Sequence, residues 1–320
     1  MDGITNRELD EAWTCVSPHV RRTPILTSRL LDEETGFQVA LKAEMFQRTG
    51  AYKIRGALNK LRVLSPQQKQ RGVICSSAGN HAQGVALAAA LAGVRAVVVM
   101  AENATPSKIA ATRAYGAEVI LHGTIWDEAN EEALRIVAEQ GLTYVHPFDD
   151  RDLIAGQATV GLEIVDQLPD VEVVVVPIGG GGLISGVAQA VKRRSPRTRV
   201  VGVESSGAPG MRESVRAGRV VTLDVVDCVI DGLRVRRVGE LTREIVARWV
   251  DDIVTLPDAD IFDSVVWLMS RQKLVAEGAA AATVAALRSG LVRAAPGARV
   301  VCVLSGGNLN LDQLAGLLWN

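Results

Sequence analysis

The stretch GVICSSAGNHAQGVALAAALAGVRAVVVM, residues 72–100, decides the fold. It opens with a short β-rich run, GVICSS (72–77), crosses a polar loop, and continues as an Ala-rich helix from about Asn80 to Ala92. It then returns as VRAVVVM (94–100), a near-continuous apolar strand. A helix between two strands carries the chain back, so the second strand runs parallel to the first. A strand without polar alternation is buried on both faces, as parallel strands are.

The same alternation extends in both directions. TPSKIAATRAYG (105–116) predicts a helix, with Thr105 at the N-cap, Pro106 in the first turn and Gly116 at the stop. AEVILH predicts a strand, WDEANEEALRIVAEQG a helix ended by Gly141, and TYVH a strand. After HPFDDRD (146–152), which reads as a crossing between lobes, come VEVVVVPI (171–178), a helix over 183–194, TRVVGVES (198–205) and a last strand, ARVVCVLS (298–305). These elements predict two open parallel-sheet α/β lobes. The larger is built from residues 1–46 and 149–320, and a smaller, mobile one from 47–148.

Composition narrows the function classes. The 320 residues are 48% hydrophobic but only 4% aromatic, so the cores are aliphatic. With 35 basic and 36 acidic residues, net charge is −1, which gives no footprint for nucleic acid and no polybasic membrane patch. No apolar run reaches the length of a membrane-spanning helix. The polar start MDGITNRELDEAW does not read as a signal peptide. Cys15, Cys75, Cys228 and Cys302 are scattered and form no CxxC pair, which points to a reducing cytoplasm and away from a disulfide framework or zinc site.

Three loops stand at strand ends, where open α/β sheets bind ligands. Gly179, Gly180, Gly181 and Gly182 lie between a buried strand and a helix, in VVVVPIGGGGLISG. They read either as a flexible turn or as a site where backbone N–H groups converge on an anion. The spacing matches neither GxGxxG nor the NTPase P-loop, so one phosphate on a small cofactor fits better. SSAGNHAQG (76–84) could hold a carboxylate, although Asn80 alone reads equally as an N-cap and His81 alone as structural. LSGGN (304–308) closes the last strand. Lys53, in TGAYKIRGA (49–57), reads alone either as a solvated helix lysine or as a buried, reactive amine.

EMFQRTGAYKIRGA, SSAGNHAQG, PIGGGGLISG and LSGGN occur together in this order. Through them the chain resembles the serine/threonine dehydratase and serine racemase group of pyridoxal-phosphate enzymes, of fold type II (tryptophan synthase β-like). The likeness runs from about residue 5 to residue 318. It implies pyridoxal 5'-phosphate as cofactor and Lys53 as the Schiff-base lysine and general base. It places Tyr52, where Phe is usual, beside the ring, Asn80 on the 3-oxygen, Gly179–Gly182 around the phosphate and Ser305 at the pyridine nitrogen. Ser77, Ala78, Gly79, Asn80 and His81 would hold the substrate carboxylate. A serine at the ring nitrogen leaves that nitrogen unprotonated, which favours prompt loss of a β-leaving group.

The resemblance therefore implies β-elimination of a 3-hydroxy amino acid, L-threonine or L-serine, to a 2-oxo acid and ammonia. Lys53-Ile54-Arg55 differs from the Lys-Asp-Arg of cysteine and threonine synthases. The chain length leaves no room for a regulatory domain, which suggests the short, catabolic type. Ala78 stands where serine racemases carry a serine. Glu204 and the Ala208 carbonyl match a divalent-metal site of some relatives, but Gly210 replaces its carboxylate, so metal would bind weakly. Glu277 reads either as a neighbour of the cofactor ring or as an acid at a helix N-terminus. Family habit implies a homodimer or homotetramer. The alternatives are a pathway-specific dehydratase, such as a hydroxyectoine-utilisation enzyme or 3-hydroxyaspartate ammonia-lyase, a serine racemase, or a non-catalytic amino-acid-binding regulator. The last has no need of Lys53.

Overall fold

The computed structural model of the protein describes residues 3–309. The far ends of the likeness and of the larger predicted lobe, beyond residue 309, lie outside the described residues. Ten strands form two sheets among the described residues. They are β1 (Ile25–Thr27), β2 (Gln38–Ala43), β3 (Val73–Ser76), β4 (Ala96–Met100), β5 (Glu118–Leu121), β6 (Thr143–Tyr144), β7 (Val173–Pro177), β8 (Arg199–Ser205), β9 (Asp252–Leu256) and β10 (Arg299–Leu304). One sheet has the order β1-β2-β10-β7-β8-β9 and the other β5-β4-β3-β6. Every strand pairing is parallel except that of β1 with β2.

The strands predicted from apolar runs are present, and the helices between them close where the glycines stand. Trp126–Gln140 ends on Gly141 at φ 66, a left-handed position that suits glycine. Thr105 occupies the N-cap of Pro106–Ala114 but makes no capping bond, so Pro106 with its preset φ does most to start that helix. β4 and β7 are buried along their whole length, as expected of central parallel strands. The cores are aliphatic: Val173, Val175, Val300 and Leu304 pack under Gly278–Arg288 on one face of the larger sheet, and Val174, Val176 and Val301 pack under Gly182–Arg194 on the other. Each such side chain contributes about 1.5–3 kcal/mol by leaving water.

β1, β2 and β9 are not announced by the sequence. β2 contains Lys42, a charge at a position with 0% exposure, and a charge inside a short run masks an apolar strand. No described helix is long and apolar enough to cross a membrane.

Candidate active site

The three loops open from parallel strands at their C-terminal ends: Ser77–Gly79 after β3, the glycine turn after β7, and Ser305–Asn308 after β10. Residues 50–52 pair with the last of these. Ala51 bridges Gly306, the Tyr52 N–H donates to the Ser305 carbonyl at 3.1 Å, and the Gly307 N–H to the Gly50 carbonyl at 2.9 Å. Lys53 follows directly, at the N-cap of Ile54–Val63. A residue of the smaller predicted lobe is thereby fixed to the end of a strand of the larger sheet.

Lys53 is half-buried. Its Nζ donates to the Pro147 carbonyl at 2.7 Å and lies 5.4 Å from the Tyr52 ring centroid. Burial pushes its pKa down to about 8, against the opposing charge of Glu277. A sizeable neutral fraction thus exists near pH 7–8, as an amine that attacks a carbonyl or takes a proton requires.

Asn80 does not cap its helix. The N-cap of Asn80–Ala92 is Gly79, and no side chain caps it. Asn80 Nδ2 donates instead to Glu277 Oε1 and Oε2 at 2.8 and 3.0 Å, and its Oδ1 accepts from Asn308 Nδ2 at 2.7 Å. Asn308 also donates to the Thr49 carbonyl at 2.8 Å. Glu277 precedes Gly278–Arg288 without capping it, and burial raises its pKa to about 7. Its carboxyl faces Asn80 from the start of that helix, so it is both a helix-end acid and a neighbour of the asparagine loop. Ser77 Oγ accepts from the Gly79 N–H at 3.2 Å, Ala78 packs against the core beneath, and a Cβ on Gly79 would meet nothing within 4 Å. His81 is buried with Nε2 at 2.9 Å from the Val145 carbonyl. Burial pushes its pKa down to about 3, so it stays neutral, and its Nδ1 has no partner among the described residues.

The glycine turn is tight. Gly181 is at φ +93 and forms the N-cap of Gly182–Arg194, so its N–H groups open at a helix N-terminus. Any Cβ on Gly180 would lie 2.2 Å from the Phe148 ring. Thr242 Oγ1 donates to the Gly180 carbonyl at 2.8 Å and fixes the turn from behind. Ser305 is buried, with 2% exposure.

Behind Lys53 lies a closed ion cluster. Arg55 donates to Glu44 at 2.7 and 2.8 Å and to Glu163 at 2.7 and 3.0 Å; Lys42 donates to Glu163 at 2.6 Å. Two cations meet two carboxylates, all within 0–1% exposure. The cluster locks the helix that follows Lys53 to the end of β2 and to Arg151–Gln167.

Glu204 turns both carboxyl oxygens to the N–H groups of Met211 and Arg212, at 2.7 and 2.9 Å, and burial raises its pKa to about 8. Ala208 is buried nearby. The described residues hold no cluster of three or more His, Cys, Asp or Glu suited to a metal ion.

Sequence reasoning missed Pro147, Phe148, Thr242 and Asn308. Asn308 ends LSGGN and HPFDDRD reads as a crossing, but nothing local shows which side chains such segments meet. The donors present fit pyridoxal phosphate: a depressed amine for its carbonyl carbon, a helix N-terminus behind a turn with no Cβ for its phosphate, and Asn80 for its ring oxygen.

The family of pyridoxal-phosphate dependent enzymes matches over residues 16–306. An L-threonine ammonia-lyase of Thermotoga maritima is 47% identical over 311 residues, covering 97% of this chain and 77% of that protein. A catabolic L-threonine dehydratase of Escherichia coli strain K12 is 43% identical over 309 residues, covering 96% of this chain and 94% of its own. Among solved structures, maize serine racemase superposes with a TM-score of 0.92 at 34% identity, over 99% of this chain and 97% of that one.

Proposed function

We infer the function from one premise: the chain belongs to the family of pyridoxal-phosphate-dependent enzymes. It is a lyase that deaminates L-threonine to 2-oxobutanoate and ammonia, in keeping with relatives 41–47% identical over nearly its whole length. L-serine, giving pyruvate, is the second substrate in this reading.

When bound, pyridoxal phosphate supplies an electron sink conjugated to the substrate nitrogen. Lys53 would hold its carbonyl carbon, Gly179–Gly182 its phosphate and Asn80 its ring oxygen, and Tyr52 and Ser305 would flank the ring. The Ser77–His81 turn takes the substrate carboxylate on backbone N–H groups and the Ser77 hydroxyl. Lys53, once free of the cofactor, takes the proton from the substrate Cα; its lowered pKa keeps the neutral amine available. The Pro147 carbonyl, 2.7 Å from Nζ, steadies the ammonium that results. The β-hydroxyl leaves as water, and water returns when the nitrogen is released as ammonia. Within residues 47–148, the part that carries the sheet β5-β4-β3-β6 moves to admit substrate, while Lys53 stays tied to the larger sheet.

The observation that carries this reading is Lys53: half-buried, its pKa brought down to about 8, its Nζ on the Pro147 carbonyl and the residues before it paired with the Ser305–Gly307 loop. Four free cysteines suit a reducing cytoplasm. Exposed Val225, Val229 and Val275 suit a homodimer or homotetramer, which sedimentation would show. The test is 2-oxo acid and ammonia release from L-threonine, L-serine, D-serine and 3-hydroxyaspartate in parallel. Turnover of 3-hydroxyaspartate alone would move the chain to a pathway-specific dehydratase. Binding without product from any of them would leave a binding protein.

A further inference from the structure

We infer that His146 is a positioning residue: it folds the crossing segment 146–150 into a rigid bracket that holds Lys53 and the glycine turn at a fixed separation. This rests on the reading of those two elements as the cofactor site.

The bracket is visible residue by residue. His146 Nδ1 accepts from the N–H groups of Phe148 at 3.2 Å and Asp149 at 2.7 Å, which closes the segment on itself. The Pro147 carbonyl, inside that closed turn, accepts from Lys53 Nζ. The Phe148 ring lies against Gly180, where a Cβ would come within 2.2 Å, and it meets the His146 ring edge-on at 4.7 Å. Asp149 accepts from the N–H groups of Thr242 and Glu240 at 3.0 and 3.1 Å, and Thr242 in turn holds the Gly180 carbonyl. Asp150 caps Arg151–Gln167 through Asp152 and Leu153. Five consecutive residues thus reach the reactive amine, the glycine turn and the starts of two helices.

The turn has one internal fastener, and it works in one protonation state. A nitrogen that accepts two N–H groups carries no proton, so the proton of a neutral His146 sits on Nε2. Burial favours that neutral form, with the charges of Asp149 and Asp150 opposing. If Nδ1 is lost, two N–H donors lose their acceptor and the Pro147 carbonyl is free to turn away from Lys53.

The test compares three substitutions. Asn places an acceptor oxygen at the branch position of Nδ1, Gln places it one carbon further out, and Ala has none. The dissociation constant of pyridoxal phosphate from the holoenzyme should rise about 10-fold or more in His146→Ala, from two lost hydrogen bonds. His146→Gln should behave like Ala, and His146→Asn should stay within about threefold of the parent. In the unaltered holoenzyme, ¹⁵N NMR should show His146 Nδ1 unprotonated at neutral pH. A protonated Nδ1 overturns the inference with no variant needed, as does cofactor affinity in His146→Ala equal to the parent's. If the Ala variant does not fold, the NMR result and Asn against Gln decide, and Asn no better than Gln overturns it. None of these readouts uses threonine, so an unaltered enzyme inactive on threonine would sink the lyase reading alone.

Discussion

Lys53 and Arg55 stand two residues apart at the start of one helix, and the protein treats their charges in opposite ways. Arg55, with 0% exposure, faces two carboxylates that take four hydrogen bonds from it and drive its pKa up. Lys53 has one carbonyl for a partner, and burial drives its pKa down to about 8. A low-dielectric interior strengthens a paired charge and expels an unpaired one. The cluster behind the site is over-satisfied, and the site is left short of partners. Glu277 continues the contrast: its one side-chain hydrogen-bond partner among the described residues is Asn80, and its pKa is raised to about 7, whereas Glu44 among its cations is held below the usual carboxylate range. A structural charge and a chemical one can therefore be told apart by what surrounds them, even on adjacent turns.

The contrast breaks first at Lys53. Lys53→Ala should lower threonine turnover by at least ~10³-fold, since the proposed anchor of the cofactor and the proposed base are lost together. Its melting temperature should stay within a few degrees of the parent's. Turnover near the parental rate would remove Lys53 from the chemistry.

Arg55→Ala should do the reverse, acting on stability before activity. It strands Glu44 without a paired cation and leaves Glu163 with Lys42 alone, at a cost of about 3–5 kcal/mol. Urea unfolding of the variant measures this. A loss under about 1 kcal/mol would mean that the cluster is solvated and the contrast false.

Glu277→Gln sharpens the comparison through pH. The folded-state pKa near 7 lies above the ordinary value of 4.5, so the protonated carboxyl contributes stability that is complete below pH 4.5. That contribution is lost as pH rises through 7, by at most ~1.4 kcal/mol per pH unit. In protein stripped of cofactor, the parent should lose stability over this window relative to Glu277→Gln. Parallel pH–stability curves would show that Glu277 titrates normally.

Ala78 offers the smallest effect. Racemisation needs a proton donor on each face of the substrate Cα; in the proposed site Lys53 supplies one, and the Ala78 methyl would supply none. L-serine should yield pyruvate with little D-serine, and Ala78→Ser should raise the ratio of D-serine to pyruvate by roughly threefold. Chiral chromatography beside a pyruvate assay reads this, and D-serine forming as fast as pyruvate in the parent would overturn the choice of lyase over racemase.

The sequence by itself determined the parallel strand–helix alternation, the three loops at strand ends and the prominence of Lys53. Those signals are local: apolar runs such as residues 173–177, and glycines such as Gly141 and Gly181 whose positive φ is written in the residue type. Tertiary structure alone decided the rest. β2 is a strand because it pairs with β10 across most of the chain and because Lys42 finds Glu163. Asn80 could have been a cap, and Glu277 could have stood at its helix end with no partner; they became partners across 197 residues of separation. Pro147 and His146 look ordinary until the fold brings Lys53 to one and turns the other inward. A polar side chain does not carry its partner in its own neighbourhood of sequence, so its role stays open until packing removes water and leaves one partner within reach.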